Sequence, residues 1–274
     1  MNKKCLVLAI TSCINADIYD CFRFFNEFDL LDMRLNELDS VVDKFVLVES
    51  CETDTGISKP LFFAENKERY SKFLDKIIHV KLTEANPTMN NYIRENWQRN
   101  QILRGLTHCK NMDIIMISDL DEIPNTSILK TYLKKCYKRN LVLQNDMFFF
   151  QLNRQKNNGR DWENKIWLGT AIVPFSYLKE KTPQQIRNER ASYFNIPDAG
   201  WHFSWMSGVD QMRLKAKSVW DGKGYNFTSK TDEEILEWTY LACPKIVTIN
   251  QESNFPNYLK NNYQYFFEKG YIAE

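Results

Sequence analysis

The chain has 274 residues, 43% of them apolar and 26% charged, the balance of a globular protein of one or two domains. A net charge of +1, with Lys and Arg spread along the chain, excludes a global field that favours nucleic acid or a membrane surface. Seven cysteines, an odd number with no CxxC pair, fit reduced thiols better than a disulfide frame or a zinc site.

The opening stretch, MNKKCLVLAITSCINA, imitates a signal peptide, but its apolar run Cys5–Ile10 is short for the roughly 7–15 residues of such a core. It is expected to be a short strand or an ordered extension. From Phe24 the apolar positions Phe24, Phe28, Leu31, Leu35 and Leu38 recur at three and four, one face of a helix. KFVLVES follows and reads as a buried strand ending at Glu49, before a polar loop with Gly56 and Pro60. NKERYSKFL is expected to be a helix and KIIHVKL a strand. Met89 to Leu106 is expected to form a longer helix with Ile93, Trp97 and Leu103 inward. MDIIMIS reads as another buried strand, SILKTYLKKC as a helix, and NLVLQNDMFFFQL and IWLGTAIVPF as strands. No segment reaches the ~20 apolar residues of a membrane-spanning helix. Sequons stand at Asn125 and Asn226 and matter only in a secreted protein.

Helix and strand alternate through the first half, which predicts an α/β fold with a mostly parallel sheet covered on both faces. Ligands of such sheets bind beyond the carboxyl ends of the strands, where Glu49 and Asp119 fall. Asp119 opens the acidic stretch of MISDLDEIP. In extended backbone, residues i and i+2 face the same way roughly 6–7 Å apart. Asp119 and Asp121 are therefore expected to face one object together while Leu120 turns back into the protein. Two such carboxylates repel unless a cation lies between them or one is protonated. A hard divalent ion suits these oxygens and leaves positions open for substrate phosphates. The plainer alternative is a solvated turn that caps the next helix through Asn125 or Thr126.

The stretch IYDCFRFFNEFDLLDMRLNELDSVVDKFVLVES resembles the opening of glycosyltransferase family 17, the β-1,4-mannosyl-glycoprotein β-1,4-N-acetylglucosaminyltransferases. SKPLFFAENKERY, ENWQRNQILRGL, IIMISDLDEIP, DAGWHFSW and PNYLKNNYQYFF continue the resemblance in order, from about Ile18 to Phe267. It implies one catalytic domain of GT-A type, a Rossmann-like mixed sheet flanked by helices. Residues 1–17 would be an extension or first strand, 18–124 a nucleotide-binding half and 125–274 an acceptor-binding half. It also implies a UDP-sugar donor, UDP-N-acetylglucosamine foremost, a glycan acceptor, Mn²⁺ or Mg²⁺, and inversion to a β linkage.

Under that resemblance Asp121 binds the metal, and Asp119 binds the ribose or a metal-bound water. Glu122 orients its neighbours. Leu120 is grouped with the donor-binding residues, as are Glu49 at the uracil or ribose and Gln98 and Arg99 at phosphate or sugar. His202 is expected at the metal or the diphosphate, and Lys215 at phosphate. Trp201 and Trp205 offer faces for a sugar or pack in the core. Inversion needs a general base. Asp198 is the first choice, with Asp161, Glu163 and Asp210 behind it, and the loop NRQKNNGRDWENK is a candidate lid. A glycan-binding protein without turnover is the main alternative. A haloacid-dehalogenase-like phosphatase also places DxD after a strand, but usually in its first strand and followed by Gly or Thr. The expected location is cytoplasmic, with the secretory lumen as the alternative.

Overall fold

The computed structural model describes residues 16–85, 89–135, 138–156, 166–219 and 227–274. In chain order the elements are β1 (Ile18–Phe24), α1 (Phe28–Leu38), β2 (Lys44–Ser50), α2 (Phe62–Glu65), β3 (Ile77–Leu82), α3 (Asn91–Asn100), β4 (Ile114–Ile117), β5 (Glu122–Pro124), α4 (Thr126–Tyr132), β6 (Leu141–Phe149), β7 (Arg154–Gln155), β8 (Trp167–Pro174), α5 (Pro183–Glu189), β9 (Phe194–Ser204), α6 (Gly208–Ser218), α7 (Asp232–Ala242), β10 (Lys245–Ile246), α8 (Asn257–Asn261) and α9 (Tyr263–Glu268). One sheet runs β10-β7-β6-β8-β4-β1-β2-β3, and β9 pairs with both β6 and β5. The ladders among β3, β2, β1 and β4 and between β6 and β9 are parallel, while β8 runs antiparallel between β4 and β6. This is the α/β class expected, with parallel pairing dominant.

Strand β1 lies inside the sheet between β2 and β4, which hydrophobic periodicity does not reveal. Its side chains alternate between two cores. Phe22 and Phe24 join the cluster under α1, whereas Tyr19 and Cys21 join the cluster on the other face with Val46, Ile115 and Ile186. Asp20 and Arg23 disguise the strand, yet each has a charged partner, Asp20 on α1 and Arg23 on α3. Phe24 thus belongs to this strand, and the helix predicted from it starts at Phe28.

Two further expectations are corrected. NKERYSKFL forms a 3₁₀ segment over Lys67–Phe73, kinked at Tyr70. The long helix divides into α3 and a 3₁₀ turn, Gln101–Gly105. A Cβ on Gly105 would lie 2.4 Å from Val46 Cγ1, so this turn sits directly on the sheet. Ile93 and Leu103 are 49% and 38% exposed, while Arg94, Gln98 and Arg99 are buried. The inward stripe of α3 is polar because it faces a charged cleft.

The two halves share one core. Leu30, Leu35 and Phe45 cluster with Leu259 and Phe266 from the last helices. Glu37 Oε2 accepts the backbone N–H of Asn257 at 2.8 Å, and its Oε1 accepts the Thr126 hydroxyl at 3.1 Å. Cys21, Cys51, Cys109 and Cys243 are free thiols. Among the described residues no helix is long and apolar enough to cross a membrane.

Gly200 sets the approach of β9 to β5. A Cβ there would lie 2.6 Å from the Ile123 carbonyl oxygen. Gly200→Ala is expected to cost about 1–3 kcal/mol, read as a lowered thermal midpoint; an unchanged midpoint would show that the strands can separate freely.

Candidate active site

A cleft of about 670 Å³ opens beyond the ends of β1, β2 and β4, within the range of roughly 300–1,000 Å³ typical of ligand sites. Strand β4 ends at Ile117 and the chain turns through Ser118–Asp121 into β5. The turn closes on itself: the Glu122 N–H donates to the Asp119 carbonyl at 3.1 Å, and the Asp119 N–H donates to Glu122 Oε2 at 2.9 Å. Behind it lies Arg34, fully buried on α1, whose Nη1 donates to the carbonyls of Asp119, Leu120 and Glu122. Its partner is Asp20, at 2.6 Å.

The two aspartates stand on a turn and not on an extended strand, and both border the cleft. The backbone turns between them, and each carboxylate holds its own cations. Asp119 Oδ1 accepts from Arg99 at 2.8 Å, and its Oδ2 accepts from Arg187. Asp121 Oδ2 meets Lys215 Nζ at 3.2 Å, and its Oδ1 meets His202 Nε2 at 3.4 Å. Leu120 packs into the core beneath while bordering the cleft.

His202 is positioned from three sides. It pairs with Glu122 in the β5–β9 register. Its Nδ1 contacts the Met147 sulfur at 2.9 Å, and its ring lies 4.6 Å from that of Trp167. Trp167 Nε1 in turn donates to Glu122 Oε1 at 2.9 Å.

Burial alone would raise the carboxyl pKa of Asp119, but the Arg187, Arg99 and Arg23 guanidiniums hold it well below the usual range. Asp121 is likewise lowered against burial, by Lys215 and His202, and Glu122 by Arg187. Arg190 is pushed down to about 10 by burial and by Arg187 beside it. The acids at this end of the cleft are therefore held ionised, each paired with a lysine, an arginine or the histidine beside it.

The donor set near Asp121 is one carboxylate oxygen and one imidazole nitrogen, kinds that Mn²⁺ accepts. No group of three or more His, Cys, Asp or Glu stands ready to enclose a cation among the described residues. The pair fits an ion that draws its remaining ligands from phosphate oxygens and water.

A family model described as glycosyltransferase family 17 matches residues 3–229. The chain belongs to glycosyltransferase family 17. The β-1,4-mannosyl-glycoprotein 4-β-N-acetylglucosaminyltransferases of Homo sapiens and Rattus norvegicus are each 35% identical to it over 107 residues. Each match covers 36% of this chain and 20% of the relative, so the chain aligns with about a fifth of the length of these curated relatives. Among solved structures, the Pyrobaculum calidifontis mannosyltransferase PcManGT, in complex with GDP-Man and Mn²⁺, gives a TM-score of 0.42 at 11% identity, covering 82% of this chain and 69% of that one. Glucosyl-3-phosphoglycerate synthase from Mycobacterium tuberculosis gives 0.39 at 12% identity, covering 85% and 82%.

In this family 17 chain, Gln98, Arg99, Asp119, Leu120, Asp121, His202 and Lys215 border one cleft. Glu49 does not. Its Oε1 accepts the Phe63 N–H at 2.6 Å and its Oε2 accepts the Ala64 N–H and His79 Nε2, so it anchors α2 from the end of β2. Ser50, Glu52, Thr53 and Asp54 border the cleft just beyond. Asp198 is exposed on β9, and Asp210 is 99% exposed beside Arg213; neither borders the cleft. Asp161 and Glu163, most of the candidate lid and the sequon Asn226 lie outside the described residues. Trp201 is buried, its Nε1 donating to the Asn254 carbonyl, whereas Trp205 borders the cleft beneath Lys215.

The cleft also has members that sequence reasoning missed. Arg23 binds Asp54 at 2.7 Å and Glu95 at 3.0 Å. Arg187 binds Asp119 and Glu122. Each partner is distant in sequence, so no local pattern separates either arginine from a solvated one.

Proposed function

We propose that this family 17 chain is a divalent-cation-dependent, inverting transferase that moves N-acetylglucosamine from UDP-N-acetylglucosamine onto a glycan acceptor. The observation that carries the reading is Asp121, buried at the cleft with His202 and Lys215 on its two carboxylate oxygens and the Arg99–Arg187–Arg190 group beside it. Family membership and the curated relatives' names support the sugar, the linkage and the acceptor class.

In this reading Asp121 and His202 hold Mn²⁺ or Mg²⁺, which when bound stabilises the negative charge that gathers on the departing diphosphate. Lys215 adds a point charge to the same oxygens, and Arg190 stands further along the lining. Asp119, fixed by Arg99 and Arg187, presents its carboxylate edge to the ribose or to water. Gln98 borders the sugar-nucleotide path, its Nε2 donating to the Glu52 carbonyl at 3.2 Å. The acceptor's proton goes to a carboxylate among Asp161, Asp198 and Asp210. Asp198 and Asp210 stand away from the cleft lining, and Asp161 and Glu163 lie outside the described residues.

Thermal shift with nucleotide sugars, with and without Mn²⁺, tests the reading. A ligand at a hundred times its Kd stabilises by about 2.7 kcal/mol, so UDP-N-acetylglucosamine with Mn²⁺ is expected to give the largest rise, abolished by a chelator. A rise with GDP sugars alone would overturn the donor, and no rise with any nucleotide would overturn the transfer reading.

A further inference from the structure

We infer that Arg34 is the positioning residue of the acidic turn, holding Ser118–Glu122 in the one backbone arrangement that aims Asp119 and Asp121 at their separate partners. The inference rests on the reading of the cleft as a nucleotide-sugar site. Arg34 does not border the cleft and is 0% exposed, yet most of its hydrogen bonding is devoted to this turn. Nη1 donates to the carbonyl oxygens of Asp119 at 3.0 Å, Leu120 at 3.0 Å and Glu122 at 2.8 Å. Nη2 donates to Ser118 Oγ at 2.6 Å and to Asp20 Oδ1 at 2.6 Å, and Nε donates to Asp20 Oδ2 at 2.7 Å.

A guanidinium needing only a counter-charge would be satisfied by Asp20. The four remaining bonds do something else. Three carbonyl dipoles converge on one nitrogen, an arrangement that repels itself unless a cation stands at the focus. The carbonyl of Asp121, which lies between them in sequence, points elsewhere and accepts from the Phe203 N–H of β9 at 2.9 Å. The carbonyls of Asp119, Leu120, Asp121 and Glu122 are thus committed behind or beside the turn, while the Asp119 and Asp121 residues border the cleft. Asp20 keeps the buried cation neutralised, and the Phe22 ring lies 4.7 Å from the guanidinium carbon. Lysine has three donors on a single point, so it could meet the converging carbonyls or Asp20 and Ser118, but not both sets at once as the guanidinium does.

The test is the affinity for Mn²⁺ with UDP, measured by calorimetry below the melting transition of every protein used: unaltered chain, Arg34→Lys, Ser118→Ala and Leu38→Ala. Leu38, fully buried on the same helix, supplies a destabilised control that offers the turn no hydrogen bond. Arg34→Lys is expected to weaken Mn²⁺–UDP binding about 10–100-fold, the usual effect of losing an outer partner of a metal ligand. Ser118→Ala is expected to weaken it about threefold, the worth of one hydrogen bond. Leu38→Ala should lower the thermal midpoint and leave the affinity unchanged. Unaltered affinity in both Arg34→Lys and Ser118→Ala overturns the inference, as does an equal loss in Leu38→Ala. If Arg34→Lys does not fold, Ser118→Ala decides alone, and full affinity there overturns it. If the unaltered chain binds no Mn²⁺–UDP, the reading of the cleft fails first and the inference falls with it.

Discussion

Asp121→Ala is expected to abolish sugar transfer, by about 10³-fold or more in kcat/KM, while the chain still folds and no longer gains UDP affinity from Mn²⁺. Asp121 offers a buried carboxylate with one oxygen towards His202 and one towards Lys215. Removing it deletes the oxygen donor of the proposed cation pair and leaves the Lys215 ammonium buried without its nearest counter-charge. The raised Lys215 pKa, set by Asp121 against burial, should then fall. Asp121→Asn separates shape from charge. The folded carboxyl has a lowered pKa, so its stabilisation is present above the unfolded value of roughly 3.9 and disappears as pH falls through the folded value. Asn should therefore be less stable than Asp at neutral pH, and the gap should close in strong acid. Calorimetric UDP titration and initial rates decide the main point. Full turnover in Asp121→Ala would remove this carboxylate from the site.

Arg187→Met should give the largest stability loss, about 3–5 kcal/mol. The guanidinium bridges Asp119 and the fully buried Glu122, with Nη1 2.9 Å from Glu122 Oε2 and Nη2 3.0 Å from Oε1. A thioether of similar length keeps the volume and strands both carboxylates. In the unaltered chain both have lowered pKa values, so Arg187 stabilises above the unfolded values of roughly 3.9 and 4.3 and less below them. Urea denaturation at pH 7 and at pH 4 should therefore show a deficit that shrinks in acid, as the stranded carboxylates take up protons. A loss under about 1 kcal/mol, or one independent of pH, would mean the pair is not mutually dependent. Activity should fall as well, because Glu122 holds the Trp167 indole that packs on His202.

The first half of the fold was legible wherever apolar runs meet one core. β2, β3 and β4 appear as short buried runs, and α1 as a stripe with Leu31, Leu35 and Leu38 on its buried side. Legibility failed where burial is settled by charge. β1 contains Asp20 and Arg23, so it does not read as an interior strand, although its partners Arg34 and Glu95 make it one. In α3 the buried stripe is Arg94, Gln98 and Arg99, so apolar periodicity misplaces Ile93 and Leu103, although Trp97 does pack against the core.

Within the cleft, the spaced motifs brought Gln98, Arg99, Asp119, Leu120, Asp121, His202 and Lys215 together. Glu49 was misread because a carboxylate at a strand end looks the same whether it meets a ligand or the backbone N–H groups of the next helix. Asp198 sits beside GWHFSW, but it precedes the stretch that borders the cleft and stays on the exposed part of its strand. Arg187 carries no local signal at all, since its role exists only once α5 packs over the acidic turn.

The latch between Glu37 and Asn257 has a bearing on biosynthesis. The two lie 220 residues apart, and the apolar side of α1 is covered by the last helices. At translation speeds of about 5–20 residues per second, roughly 10–40 s separate the emergence of α1 from that of its cover. Throughout that interval α1 has β1 and β2 to lie on but lacks the helices that close its core, so part of its apolar surface stays open to water until the chain is finished.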